Sequence, residues 1–347
     1  MNLSYYFKKA IERNASDLHL IEGSIPAIRV SGKLIHLTKE KIPIGELKFS
    51  IFSLLDKDVR ERFLRKKDID ISAEFFNHRF RVNIHYQEGK IGLAARLIVK
   101  DIPKPEDIGL NETLYNMTHL NDGLILVTGP CGVGKSTTLA VMLNIINQER
   151  ASHIITIEDP IEYAFEDKKS IIEQRQLGRD TNSFASALKY ALRQDPNVIM
   201  VGEMRDLETV SAVLTAAKTG HLVLSTLHTS SAAETVERIV DYYPTQYQSQ
   251  VAHQLSSVLR SVIGQQLLPT KDGKLVAARE IMINDNAIAN MIRTGQIEQI
   301  DSAIQTSSDV GMITMNNSIR ELYRSGIISK ETMENRTRDL ETGSIMY

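Results

Sequence analysis

The segment Gly129-Pro130-Cys131-Gly132-Val133-Gly134-Lys135-Ser136 satisfies G-x-x-x-x-G-K-[ST] at every fixed position. Glycines at this spacing let the backbone curl until successive N–H groups face a single anion, and the first turn of the following helix adds its positive dipole end. A lysine at the seventh position reaches the outer phosphates of a nucleoside triphosphate. The serine hydroxyl, with Thr137 beside it in the same turn, is suited to Mg²⁺ and the phosphate oxygens. Average composition produces this pattern in roughly one chain in a hundred of this length. Its flanks narrow that further: Gly123 to Thr128 is an apolar strand pattern, and Ser136 to Leu143 opens a helix. The expected ligands are ATP and Mg²⁺, held by Gly129, Pro130, Cys131, Gly132, Val133, Gly134, Lys135, Ser136 and Thr137. Cys131 reads as a small filler residue, with a redox-sensitive thiol as the alternative.

A phosphate loop binds; turnover also needs groups that hold the metal and orient water. Two acidic clusters follow apolar runs. Thr156-Ile157-Glu158-Asp159-Pro160-Ile161-Glu162 carries three carboxylates, Glu158, Asp159 and Glu162, and Asn197-Val198-Ile199-Met200-Val201-Gly202-Glu203 ends on one glutamate where an acidic pair is usual. Glu203 and Glu162 are the leading candidates for catalysis and, with Ser136, for the metal; how they divide the work stays open. A further run, Leu222 to Leu227, ends at His228, a polar group able to sense the γ-phosphate; His221 at its start is expected to lie farther away.

The elements that must position these groups form an alternation. Nearly continuous apolar runs at 124–128, 154–157, 198–201 and 221–226 read as strands buried on both faces. Helical patterns at 135–148, 184–193, 206–218 and 231–240 separate them, which is the signature of a parallel α/β sheet. Beyond about 245 the pattern reads mostly as helix, including 247–263, 285–293 and 315–324. The first hundred residues read as a smaller α/β domain: a helix at 3–14, strands at 16–21 and around a Ser31-Gly32 turn, a helix over 44–66, and a strand pair at 80–86 and 91–98. Asp101-Ile102-Pro103-Lys104-Pro105 marks a linker, because proline fixes φ and cannot donate to a ladder. The expected domains are 1–100, a linker over 101–115, and 116–347.

Composition excludes several classes. Of 347 residues, 41 are basic and 43 acidic, for a net charge of −2, which argues against a nucleic-acid coat. A single cysteine forbids an intramolecular disulfide and a multi-cysteine zinc site. No apolar run reaches the ~20 residues of a membrane span, and the N-terminus lacks the apolar core of a signal peptide. The expected location is cytoplasmic, with any membrane attachment made through a partner.

Four motifs occur in one order: the phosphate loop, the 156–162 acidic box, Asp195 to Asp206 with Gly202 in the usual aspartate place, and Thr219 to Thr229 with its two histidines. In this combination the chain resembles the secretion ATPase superfamily of type II and type IV pilus systems, where that glycine is typical. Ala15-Ser16-Asp17-Leu18-His19-Leu20 is similar to the opening motif of its pilus retraction branch, and the four-cysteine zinc motif of the assembly ATPases is absent. Ala287 to Gly295 resembles the retraction signature Ala-Ile-Arg-Asn-Leu-Ile-Arg, with Ala289 in place of the first arginine. The resemblance implies a PAS-like N-terminal domain, a RecA-like P-loop ATPase domain with a helical C-terminal part, and a homohexamer that hydrolyses ATP to retract a type IV pilus. It also implies an inner-membrane platform partner at the pilus base and no nucleic acid. Arg81 and Arg96 match the family's arginines that complete the site; Arg79 and Arg193 are further candidates. The alternatives are an assembly or accessory ATPase of the same machine, a ring subunit that binds nucleotide without turnover, and a DNA-translocating motor.

Overall fold

The computed structural model describes residues 1–30, 32–98 and 101–337. Ser31 of the expected turn and the end of the expected ATPase domain, 338–347, lie outside them. The chain divides into two compact units: residues 1–101 with 162–164, and residues 102–161 with 165–347.

The first unit contains α1 (Leu3–Glu12), β1 (Asp17–Ile21), β2 (Ala27–Val30), β3 (Lys33–His36), α2 (Glu46–Phe52), α3 (Lys57–Lys66), β4 (Asp68–Phe75), β5 (His78–Gln87) and β6 (Lys90–Leu97). Its sheet runs β3-β2-β1-β6-β5-β4, every neighbouring pair antiparallel. Along β5 the alternate residues Phe80, Val82 and Ile84 turn to the core, as the two-residue period of a strand requires. Phe7 of α1 stacks on Phe75 at 3.8 Å between centroids and meets Phe80 edge-on at 4.8 Å. The helix expected over 44–66 is two helices, because the Asp56 carboxylate accepts the Val59 amide at 2.8 Å and starts α3 afresh. The strand β4 was not foreseen in the sequence; its Asp, Ser and Glu residues dilute the apolar signal.

The second unit contains α4 (Glu112–Met117), β7 (Gly123–Thr128), α5 (Lys135–Glu149), β8 (His153–Glu158), β9 (Ile171–Gln176), α6 (Phe184–Ala191), β10 (Val198–Val201), α7 (Leu207–Lys218), β11 (Leu222–Leu227), α8 (Ala232–Asp241), α9 (Thr245–Val258), β12 (Leu259–Pro269), β13 (Leu275–Ile283), α10 (Asn286–Thr294), α11 (Ile300–Thr306), α12 (Met315–Arg324) and α13 (Lys330–Arg336). Its sheet is ordered β13-β12-β7-β11-β10-β8-β9. All neighbours are parallel except the edge pair β12–β13.

Each central strand feeds two cores. Leu124 and Leu126 of β7 join Ile155, Ile199 and Val223 on the face covered by α6, α7, α8 and α9. Ile125 and Val127 turn the other way, onto Leu139, Met142, Leu143 and Ile146 of α5. Burial on both faces explains why these strands read as continuous apolar runs.

The largest departure from the sequence reading is after 245. The helix expected over 247–263 stops at Val258, and the chain passes directly into β12, which pairs with β7 and β13. No glycine or proline marks the change: Leu259 simply takes φ −61°, ψ 135°. The C-terminal part is therefore a β-hairpin followed by helices, and the sheet ends on an antiparallel strand.

Leu126→Ala is expected to lower stability by about 2–5 kcal/mol by opening a cavity between the strands and helices. Leu275→Ala, 65% exposed on β13, is expected to change it by less than about 0.5 kcal/mol. Denaturant unfolding of the two variants checks the contrast.

Candidate functional site: the phosphate loop and its relay

The carboxyl ends of β7, β8, β10 and β11 lie side by side in register, with Thr128 beside Leu227 and Val201 between Ile157 and Ser225. Loops leaving parallel strands at this edge are where open α/β sheets hold ligands. Two of the following helices are capped by their own sequence: Asp206 accepts the Thr209 amide at 2.8 Å for α7, and Ser231 accepts the Glu234 amide at 3.2 Å for α8. The helix α5 begins instead on Gly134, which has no side chain to cap with. The start of α5 therefore carries no side-chain cap, and a helix N-terminus of this kind suits an anion such as phosphate.

The loop 129–134 is pressed against β12. Gly129 has φ 137°, and a Cβ there would come within 2.5 Å of the Gln265 carbonyl oxygen. A backbone atom cannot swing aside, so only glycine is accommodated. Lys135 is 8% exposed. Its Nζ donates to the carbonyls of Gly129 at 2.6 Å and Pro130 at 2.9 Å. Nδ1 of His228 lies 3.3 Å from the same Nζ.

From His228 the contacts continue outward. Its Nε2 lies 3.2 Å from Glu203 Oε2. An ammonium can only donate, so Nδ1 accepts from Lys135 and Nε2–H donates to Glu203, which assigns the tautomer. Arg205 bonds the other Glu203 oxygen, Oε1, and reaches Asp159 Oδ2 at 3.2 Å. Lys135, His228, Glu203, Arg205 and Asp159 form one connected chain across three strand ends. Burial alone would raise the Glu203 pKa; the bonds and charges of Arg205, then His228, outweigh it and hold the carboxyl below its usual range.

Of the expected site residues, the structure gathers Gly129 to Thr137, Lys135, Glu203 and His228. Glu158 is buried at the end of β8 and accepts from Thr156 Oγ1 at 2.6 Å and Gln174 Nε2 at 3.1 Å. Glu162 is exposed and counts with the first unit. Arg81 and Arg96 face each other across β5 and β6 of that unit; Arg96 Nε bonds Asp17 Oδ1 at 2.9 Å and Arg81 lies 3.6 Å from Asp70. Arg79 is half-buried on β5, and Arg193 is exposed just beyond α6. His221 sits at the opposite end of β11 from His228 and bonds the end of α7 through the Ala216 carbonyl at 3.0 Å. The exposed Cys131 Sγ lies 3.8 Å from His228 Nδ1.

The sequence reading missed Gln265, a buried polar residue of the hairpin that touches the loop, and Arg279, which holds Gln265 from the next strand. Gln265 Nε2 donates to the Val133 carbonyl, and its Oε1 accepts from Thr138 Oγ1 at 2.8 Å and Arg279 Nε at 3.2 Å. A polar pair opposite each other in an apolar hairpin would have been the signal, had the hairpin been recognised.

Among the described residues, no cluster of three or more His, Cys, Asp or Glu side chains is placed to hold a metal ion. An all-protein metal cage is therefore not formed by these residues; Mg²⁺ in general needs none, because it keeps most of its waters and binds through one or two protein oxygens plus substrate phosphates.

Residues 106–342 match the family model described as type II/IV secretion system protein. The chain belongs to this family. It is 42% identical to the type IV pilus retraction ATPase PilT of Pseudomonas aeruginosa over 97% of its length and 98% of that protein's. It is 44% identical to a twitching motility protein of Neisseria gonorrhoeae, over 92% of this chain and 86% of the other. A crystal structure of the pilus retraction motor PilT with bound ADP superposes with a TM-score of 0.92, at 43% identity over 98% of both chains. The RecA-like P-loop ATPase domain preceded by a smaller α/β domain is thereby established.

Gly129→Ala is expected to strain the loop by about 1–3 kcal/mol and to abolish binding of fluorescent ADP. Normal ADP titration of the variant would contradict the close approach to Gln265. For Glu203, a folded pKa below the unfolded one contributes stability that is present above the unfolded value and lost as pH falls through the folded value. Thermal melting of wild type and Glu203→Gln is therefore expected to differ by a constant amount above about pH 5 and to converge in stronger acid.

Proposed function

We propose that the chain is the motor ATPase of type IV pilus retraction: a homohexamer that hydrolyses Mg-ATP and converts the energy into pilus disassembly. The observation that carries the reading is the Lys135–His228–Glu203 connection on the phosphate loop, in a chain that matches PilT along nearly its whole length.

The loop amides and Lys135 would hold the β- and γ-phosphates. Ser136, with Glu203 or Glu162, would hold Mg²⁺, which when bound would supply charge neutralisation on those phosphates. Glu203, held between Arg205 and His228, would orient the attacking water, a role it shares as a candidate with Glu162. His228 is positioned to feel both the Lys135 ammonium and Glu203. When Lys135 turns from the loop carbonyls to a γ-phosphate, His228 loses one partner, and the change passes to Glu203 and Arg205. Arg81 and Arg96 are proposed to complete the site by neutralising charge on the transferred phosphoryl group, worth on the order of 10³–10⁵ in rate for arginine fingers. Both are already paired with carboxylates, so engaging a nucleotide means exchanging Asp70 and Asp17 for phosphate.

Among the described residues, no helix is long and apolar enough to cross a membrane. Attachment to the inner-membrane platform of the pilus, on the cytoplasmic side, would therefore run through a protein contact. Ala289 lies on α10, whose buried residues are Ile288 and Ile292, so the departure from the retraction signature leaves the packing of that helix intact.

Purified protein is expected to hydrolyse Mg-ATP at a rate per subunit that rises with assembly, and Lys135→Ala to abolish it. In cells, loss of the gene is expected to leave pili in excess and abolish twitching. Loss of pili altogether would point to an assembly motor, and a wild type no faster than Lys135→Ala to a ring subunit without turnover.

A further inference from the structure

Behind the phosphate loop lie two buried polar side chains, one touching the loop and the other holding the first, that the reaction as described does not use. Gln265 is 3% exposed and Arg279 is 6% exposed. They sit opposite each other on β12 and β13. Gln265 Nε2 donates to the Val133 carbonyl, and Arg279 Nε donates to Gln265 Oε1 at 3.2 Å. The two ends of the Arg279 fork donate to the carbonyls of Gly109 and Ile108, each at 2.8 Å.

Peptide planarity gives the first contact its meaning. The C=O of Val133 and the N–H of Gly134 belong to one rigid plane and point in opposite directions. Gln265 holds the oxygen from behind, so it directs the Gly134 N–H away from the sheet, toward the side where the loop cradles an anion. Gly134 itself has φ 85°, and a Cβ there would lie 3.1 Å from Gln265 Nε2; the fit is close on that side as well.

The second contact is unusual on energetic grounds. No carboxylate pairs with Arg279 among the described residues; only amide and carbonyl oxygens meet its charge. Taking a guanidinium out of water without a counter-ion costs stability, and an apolar residue of similar volume would avoid that cost. What an apolar residue cannot do is fix three oxygens in one plane, which the rigid fork of an arginine does.

We propose that Gln265 is a positioning residue that aims the Gly134 amide at the bound phosphate, and that Arg279 joins it to Ile108–Gly109 as a strut through which the chain entering the ATPase unit responds to loop occupancy. This deepens the ATPase reading and rests on it. A phosphate drawing on the Gly134 N–H turns the 133–134 peptide, which moves the Val133 oxygen, then Gln265, then the guanidinium. The reporting end is well placed for measurement: the Gly109 amide bonds the Glu106 carbonyl at 3.1 Å and the Leu110 amide bonds the Pro105 carbonyl at 2.9 Å.

The decisive variant is Gln265→Glu. It keeps the size and the oxygen that meets Thr138 and Arg279, supplies Arg279 with a counter-charge, and replaces the donor to Val133 with a carboxylate oxygen that cannot hold that carbonyl. Full-length wild type, Gln265→Glu and Arg279→Lys are titrated with ADP, melted, and followed by amide hydrogen exchange over residues 104–111 with and without ADP. Gln265→Glu is expected to melt no lower than wild type yet bind ADP about tenfold more weakly, the scale of one lost hydrogen bond. In wild type, ADP is expected to change exchange at Gly109 and Leu110 several-fold, and in Arg279→Lys to leave it unchanged. If Gln265→Glu binds ADP as wild type does, or if Arg279→Lys transmits the exchange response unaltered, the strut is overturned while the ATPase reading stands. If wild type binds no ADP, the ATPase reading falls first and takes the strut with it.

Discussion

The site depends on how closely the phosphate loop is laid against β12. The Gln265 carbonyl occupies the space where a Cβ on Gly129 would be, so backbone meets backbone with nothing between. That contact fixes the height of the loop over the sheet. The start of α5, the reach of Lys135 and the distance from Lys135 to His228 all follow from it. Glycine thus has two uses in the motif: in front, so that amides can approach a phosphate, and behind, at Gly129, so that the loop can settle on its neighbouring strand.

On this footing the charged residues form a graded series. Lys135 is nearly enclosed, Glu203 is partly enclosed, and Arg205 is about half exposed. Attraction between charges strengthens as water is excluded, so the enclosed Lys135 is held most firmly, and His228 and Arg205, each about half exposed, are the softer links. A disturbance at Lys135 therefore meets little resistance at Arg205, where the side chain can exchange one carboxylate for another. Asp159 and Glu203 both accept from it, which gives the outer end of the relay two resting partners.

Much of this was legible in the sequence because it is written in local signals. The phosphate loop is a contiguous motif between a strand and a helix. Strands β7, β10 and β11 are short apolar runs without competing signals, and Glu203 and His228 stand at their ends. What escaped was structure without local punctuation. Val258 to Leu259 turns from helix to strand with no glycine or proline at the junction. The half-polar Ile171 to Gln176 strand covers only an edge of the sheet, and β4 is diluted by its acidic residues. Gln265 and Arg279 were lost with the hairpin: the pair acquires meaning only when 265 is known to lie opposite 279 and both to lie under residue 133. No spacing rule predicts that, since it comes from tertiary packing.

The support for the loop also comes from far along the chain. Val133 and Gln265 are 132 residues apart in sequence. During synthesis the phosphate loop leaves the ribosome long before the strand it must rest on, and with β12 absent one flank of β7 has no neighbour. Closing so long a loop is slow, and an unpaired central strand is sticky while it waits. The motif most easily recognised in the sequence is accordingly among the last parts to become functional as the chain is made. A nascent chain cut short before the hairpin carries the whole signature of a nucleotide-binding protein without the floor that gives the signature its shape.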